Sequence, residues 1–354
     1  MSEVPPVHKS RHLLRWAISI AVVVVVFVIV LPRIADMSEV LETLTAMTWL
    51  ELLTLMVVAA WNLVTYWILP MVTLPGLSLT KAMIVTEAST AAANIIPAGQ
   101  PVGMAIAYRM YASWGFRRPA IAIALVVSGV GDLFAKLAMP LLALVFLTYY
   151  GNAGGALRTG ALIGIVVLVA GVVLFIVALS SETSARRLGT WFAKVVSAAR
   201  RAIGRSEVTG WGEGMASFRG ETVGLLRDRW PAVVGASLLS HVSLYLVLLL
   251  TLRHIGVSDA EVGWAEVFGA FAFVRLLSAL QITPGGIGVV ELGLSAALVL
   301  AGGPEAEVVA GVLLYRALTY FSQIPFGALT YLYWRHSKEG RAPRTEEELG
   351  RVLG

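Results

Sequence analysis

Seven ionisable residues, Glu87, Arg109, Asp132, Lys136, Arg275, Glu291 and Arg316, lie inside long apolar stretches of this sequence. An unpaired charge at the centre of a membrane helix costs at least about 2.5–3.5 kcal/mol on insertion scales, so each position demands a partner or a task. Asp132 and Lys136 are four residues apart and share a helix face, which suits an ion pair or a proton-coupling pair. Arg275 and Glu291 flank the run Pro284-Gly285-Gly286-Ile287-Gly288, and Glu87 and Arg109 flank Asn94-Ile95-Ile96-Pro97-Ala98-Gly99-Gln100. Proline ends a helix and glycine lets the chain turn back, so each pair of charges can meet across a helical hairpin. Arg109 lies near a helix end, where snorkelling to the interface is an equal explanation. A helix that begins at such a bend points unpaired N–H groups inward and favours an anion such as phosphate; the same glycines also permit close helix packing. Four cations against three anions leave a balance compatible with a buried anionic headgroup.

Catalytic constellations are missing by comparison. His241 and His254 are candidate bases by residue type alone, with no H-E-x-x-H or paired-carboxylate pattern around them, and His241 is expected to be a polar helix contact. No Walker A pattern predicts ATP hydrolysis. With no cysteine, thiolate metal sites and Cys nucleophiles are excluded. The expectation is a non-enzyme with no catalytic residue, metal or cofactor.

The elements that must position these charges follow from composition. Of 354 residues, 58% are hydrophobic and 14% charged, with a mean hydropathy of +0.80. A water-soluble globule cannot hide that much apolar surface, and the expected class is an all-α polytopic membrane protein. Apolar runs at Leu13–Leu31, Trp49–Leu74, Pro119–Tyr149, Ala161–Leu179, Ala232–Leu252 and Val308–Trp334 are long enough to span. The first reads as an uncleaved helix, because no A-x-A-like cleavage site follows it. Basic residues collect in the arm 1–12 and its edge, near Lys81, Arg117 and Arg118, in the segment 181–230 and in the tail 335–354, whereas the alternate loops are acidic. Both termini are therefore placed in the cytoplasm, and the protein in the cytoplasmic (inner) membrane. The net charge of +5 is explained by orientation, not by nucleic acid. Within 181–230, Arg186, Arg187, Lys194, Arg200, Arg201 and Arg205 alternate with Trp191, Phe192, Val195, Val196 and Ile203, a pattern expected for a helix lying on anionic lipid.

The charge ledger places both ends of Leu79–Gly115 on the cytoplasmic side and both ends of Trp264–Ala301 outside. Each segment is broken at its centre, with arms too short for a comfortable crossing, and re-entrant hairpins fit better than two full spans apiece, although charge counting accepts either. Residues of about 48–150 and 231–334 then form two units of opposite orientation within one transmembrane domain, 13–334. A shift of 187 residues aligns Ile95-Ile96-Pro97-Ala98-Gly99 with Ile282-Thr283-Pro284-Gly285-Gly286. This is the inverted-repeat plan of transporters with a midplane site.

Asn94-Ile95-Ile96-Pro97-Ala98-Gly99, with Tyr108-Arg109 and Trp114-Gly115, and Pro284-Gly285-Gly286-Ile287-Gly288-Val289-Val290-Glu291 resemble the two signatures of the lysylphosphatidylglycerol synthase transmembrane-region family. The resemblance runs from about Leu13 to Trp334. It implies a flippase-like domain; in bifunctional members this domain translocates aminoacylated phosphatidylglycerol and is fused to a transferase, whereas stand-alone members are associated with other lipids. Only about twenty residues follow Trp334, so lysyl-lipid synthesis is not expected of this chain. The expected function is translocation of a polar-headgroup phospholipid or lipid-linked intermediate, with Arg275, Pro284, Gly285, Gly286, Gly288, Glu291, Arg316, Glu87, Asn94, Pro97, Gly99 and Arg109 forming the substrate site. The alternatives are a secondary transporter for a small anionic solute, or a membrane enzyme or non-transporting partner in envelope-lipid synthesis. The expected partners are the lipid itself, anionic lipid at 181–230, and a second copy or a separate lipid-modifying enzyme.

Overall fold

The computed structural model describes residues 36–96, 99–150, 166, 170, 173, 181–201, 211–278 and 283–337, and all secondary structure among them is helical. The predicted span Leu13–Leu31, most of Ala161–Leu179, the arm 1–12 and the tail beyond Ser337 lie outside the described residues. A short acidic helix, α1 (Met37–Thr45), capped by Asp36, precedes the first described unit. That unit comprises α2 (Trp49–Thr73), α3 (Leu79–Ile95), α4 (Gln100–Ser113) and α5 (Arg118–Tyr150). After α6 (Glu182–Arg201), the second unit comprises α7 (Trp211–Ile255), α8 (Trp264–Ser278), α9 (Val289–Leu300), α10 (Glu305–Arg316) and α11 (Gln323–His336).

Local sequence explains the boundaries. Thr48 and Glu51 form a reciprocal capping box that starts α2, and the Ser78 hydroxyl accepts from Lys81 N at the start of α3. Trp49–Thr73, Arg118–Leu147 and Arg229–Ile255 are long and apolar enough to cross a membrane. The hairpin arms are shorter, at 17, 14, 15 and 12 residues, or about 25, 21, 22 and 18 Å, against a hydrocarbon core of about 30 Å.

Two elements depart from the sequence reading. The segment expected as Val308–Trp334 is interrupted by a π-helical stretch, Ala317–Phe321, between α10 and α11. The segment 181–230 is largely helical: α7 has 45 residues, about 67 Å, and runs uninterrupted from this segment into the span. Helix α6 packs on α7. Its buried residues are the small stripe Ala185, Gly189, Ala193 and Ser197, while Arg186, Arg187, Trp191 and Lys194 remain exposed.

The distribution of side chains is that of a protein solvated by hydrocarbon. On α2 the exposed residues include Leu50, Leu53, Met56, Val57 and Trp61, whereas Asn62, Thr65 and Thr73 are buried. On α7, Ser237, Ser240, His241, Ser243 and Thr251 are buried, and Leu238, Leu239, Val242 and Leu246 are exposed. Apolar residues outside and small polar residues between helices minimise exposed polar surface in lipid and let helices approach closely.

The two units interlock. Helices α2 and α7 run antiparallel: Thr54 Oγ1 lies 3.1 Å from His254 Nε2, Asn62 Nδ2 donates to Ser240 O (3.3 Å), and Arg229 donates to Val72 O (3.3 Å). Helix α11 and the π-helical stretch Ala317–Phe321 before it run antiparallel along α3, from Tyr320 beside Asn94 to Trp334 packed near Ala82. Helix α5 meets α8 in the same way, with Phe146 against Trp264 and Leu147 against Gly269. Each unit's last helix thus seats on the first hairpin arm of the other.

Small residues set these separations. A Cβ on Gly103 would lie 2.6 Å from Ser89 O in the other arm of the first hairpin, and one on Gly327 would collide with Glu87 O and Ala91 Cβ. Gly327→Val is accordingly expected to force α11 off α3 and destabilise the protein by about 1–3 kcal/mol. Thermal unfolding in detergent checks this; an unchanged midpoint would contradict so close a crossing.

Candidate functional site

The hairpin tips converge at the interface between the two units. In the second hairpin, Gly285, Gly286 and Gly288 all adopt positive φ (56°, 70° and 86°), backbone that residues with a Cβ seldom adopt. Gly285 has no room for a side chain, because its Cβ direction points into the Tyr320 ring. The Tyr320 hydroxyl lies 3.1 Å from Asn94 O in the first hairpin and 3.4 Å from Pro284 O in the second. One phenolic group therefore links both tips. It is carried on the π-helical stretch, an irregularity that recurs at functional sites.

Glu291 and Arg316 organise the second tip. Arg316 Nε donates to Glu291 Oε1 (2.6 Å) and Arg316 Nη2 to Gly285 O (3.1 Å), while its guanidinium stacks 4.1 Å from the Tyr320 ring centroid. The other Glu291 oxygen accepts from Gly288 N (2.6 Å), capping α9. Glu291 is 0% exposed and Arg316 is buried. This corrects two expectations. Glu291 pairs with Arg316 and not across the hairpin with Arg275, and the anion-favouring N–H of the tip is occupied by the protein's own carboxylate. A carboxylate three residues into a helix reaches back to its N-terminus more readily than it reaches a neighbouring arm.

A second cluster joins α2, α5, α7, α8 and α10. Lys136 Nζ lies 2.6 Å from Asp132 Oδ2, the expected i, i+4 pair. The other Asp132 oxygen is 3.4 Å from His241 Nε2, whose Nδ1 lies 2.8 Å from Ser237 O. Because the carbonyl can only accept, Nδ1 carries a proton, and donation from Nε2 to Asp132 requires a second one. Arg275 interacts electrostatically with Asp132, Tyr66 and Tyr315. Its Nε is buried without a hydrogen-bond partner, and among the described residues no carboxylate forms an ion pair with it.

In the first hairpin, Glu87 is 1% exposed and its Oε1 accepts from Trp67 Nε1 (2.7 Å), while Oε2 is unpartnered. Arg109 is exposed, so the expected pairing of Glu87 with Arg109 does not form: the two residues occupy different faces of the arms. Asn94 enters the site through its backbone carbonyl. Gly99 caps α4 where a Cβ would strike Ala93 O; Pro97 lies outside the described residues.

A cavity of about 830 Å³ opens beside the second hairpin. Asp259, Glu261 and Glu266 line its polar part, and Phe273, Val274, Leu277, Ala297 and Leu300 its apolar part. Leu277 is exposed and Leu300 is 88% exposed, so the apolar side faces the surroundings of the helices. Hydrogen bonds from the Ser258 backbone and hydroxyl hold the Glu261 carboxyl below its usual range. Among the described residues no His, Asp or Glu group has the grouping of a metal site.

Sequence reasoning missed Tyr320, Tyr66, Tyr315 and Trp67. A signal existed for the first, since Tyr320 stands four residues after an intramembrane arginine, the spacing that stacks an aromatic ring under a guanidinium on a regular helix. The others became visible only through packing.

In comparison with known proteins, residues 16–327 match the Lysylphosphatidylglycerol synthase TM region family. No curated protein sequence matches the chain.

Proposed function

From the premise that the chain belongs to the lysylphosphatidylglycerol synthase TM region family, and so is a membrane protein with a lipid-related function, we propose that it is a lipid translocase of the cytoplasmic membrane. The observation that carries this reading is the junction of two broken-helix hairpins at Tyr320; a partly apolar cavity along the arms of the second hairpin, with exposed Leu277 and Leu300 on its wall, adds a lateral path. A headgroup in a polar interior avoids most of the cost of crossing hydrocarbon, while acyl chains follow the apolar wall outside. A closed central chamber would suit a soluble anion better than this geometry does.

Both hairpins are re-entrant in this proposal, and the two units are inverted repeats. The short arms, the antiparallel pairing of α2 with α7 and the reciprocal seating of α11 on α3 and α5 on α8 support that arrangement. Alternating access then corresponds to the tips parting on one side or the other of Tyr320. Proton binding at the Asp132–His241 contact is the form of coupling the geometry favours. Both termini are cytoplasmic, and the exposed basic face of α6, with Trp191, meets anionic lipid at the inner surface.

Liposomes carrying headgroup-labelled phospholipids test the proposal. Arg275→Ala removes a cation without orphaning a partner, so the variant is expected to fold yet translocate at least about tenfold more slowly, the effect of losing one charge-assisted contact. Equal scrambling by empty, wild-type and variant vesicles across a broad lipid panel would sink the translocase reading. Arg275-dependent uptake of a soluble anion would replace it with a solute transporter.

A further inference from the structure

Arg109 is exposed, and the bonds of the other three intramembrane cations, Lys136, Arg275 and Arg316, differ. Arg316 is spent: its Nε is on Glu291, its Nη2 on Gly285 O and its face on the Tyr320 ring. Lys136 is neutralised by Asp132. The tip amide of Gly288 is filled by Glu291. Arg275 alone among the three keeps its guanidinium without a carboxylate partner among the described residues, with a buried Nε that makes no hydrogen bond. Tyr66 from α2, Tyr315 from α10, Asp132, Lys136 and His241 all lie within electrostatic range of it. The carboxylate within electrostatic range of Arg275, Asp132, is paired with Lys136.

We infer that Arg275 is the phosphate-binding residue of the translocation site, taking two oxygens of a phosphodiester on its guanidinium fork while Tyr66 and Tyr315 supply neutral donors beside it. This rests on the translocase reading and deepens it by naming the group recognised. A guanidinium presents planar, paired N–H donors that match phosphate oxygens, and this one, half-buried with its Nε sealed off and unpartnered and with no carboxylate ion pair among the described residues, gains from an arriving anion. The anion therefore binds among helices of both units, adjacent to the Glu291–Arg316 clasp through Tyr315, and not at the glycine-rich tip. Contact with two units lets one headgroup bias their relative position.

The full chain, purified in a neutral alkyl-maltoside detergent, permits a binding test by intrinsic tryptophan fluorescence. The ligands are dihexanoyl phosphatidylglycerol, glycerol 3-phosphate, inorganic phosphate and dihexanoylglycerol, which lacks phosphate. Dihexanoyl phosphatidylglycerol is expected to bind wild type at least about tenfold more tightly than Arg275→Gln, with Arg275→Lys between them because it keeps the charge and loses the fork. Binding of dihexanoylglycerol should be equal in all three. Stronger Arg275-dependent binding of the diacyl compound than of glycerol 3-phosphate or inorganic phosphate identifies a lipid as the source; the reverse identifies a free phosphate.

Equal affinity of folded wild type and Arg275→Gln for every phosphorylated ligand would overturn the inference. If Arg275→Gln does not fold, equal affinity of wild type, Arg275→Lys and Tyr315→Phe would do so. Loss of binding in Arg275→Gln, with wild-type vesicles scrambling no faster than empty ones, leaves the phosphate site standing and removes the translocase reading. Arg275-dependent scrambling with unchanged binding does the opposite.

Discussion

Glu291→Gln is expected to lose about 3–5 kcal/mol of stability, the cost of breaking a buried ion pair by removing one partner. The side chain is wholly buried and serves two groups, the Arg316 Nε at 2.6 Å and the Gly288 amide at 2.6 Å. Glutamine retains an oxygen for the amide but leaves the Arg316 charge uncompensated among apolar helices. Unfolding in detergent should therefore occur at a clearly lower temperature than in wild type. Removing both charges in Glu291→Gln/Arg316→Met should recover much of the loss, because a buried pair replaced by apolar groups of similar size is often nearly neutral. A single variant as stable as wild type would show that water or another group already solvates Arg316.

The second large effect is expected at Gly285→Ala. With φ at +56° and its Cβ direction inside the Tyr320 ring, the substitution combines left-handed backbone strain of about 1–2 kcal/mol with overpacking of about 1–3 kcal/mol. The ring has little freedom to yield, being stacked under Arg316 and tied to both tips. Tyr320→Phe alone should cost only about 0.5–1.5 kcal/mol, the loss of one hydroxyl contact. In a double-mutant cycle, Tyr320→Ala should relieve the clash term of Gly285→Ala and leave the backbone term, giving a coupling of about 1–3 kcal/mol. Additive losses would mean that Tyr320 does not seat on the tip.

Much of the architecture was legible in residue order because it is governed by periodicity and composition. The spans at Trp49–Thr73, Arg118–Leu147 and Arg229–Ile255 follow from unbroken apolar runs, and the breaks at Asn94–Gly99 and Pro284–Gly288 from residues that cannot continue a helix. The Asp132–Lys136 pair was readable for the same reason: both partners are on one helix, four residues apart. The break within Glu305–His336 did carry a signal that was passed over: Pro325 cannot donate to Phe321 O and its ring crowds the turn before it, where the π-helical stretch Ala317–Phe321 lies.

Pairing between elements escaped sequence reasoning wherever a residue had several eligible partners. Arg275 and Glu291 are well placed for a hairpin pair by distance along their arms, yet helix rotation turns Glu291 toward its own N-terminus and Arg316. Glu87 and Arg109 stand at similar distances in sequence from the break, but one faces Trp67 and the other is exposed. Residue order by itself determined the membrane class, the broken segments and the identity of the seven charges within apolar stretches. The tertiary structure decided which of those charges pair among the described residues, Asp132 with Lys136 and Glu291 with Arg316, because rotation about a helix axis is set by packing against neighbouring helices, and only that rotation selects a partner.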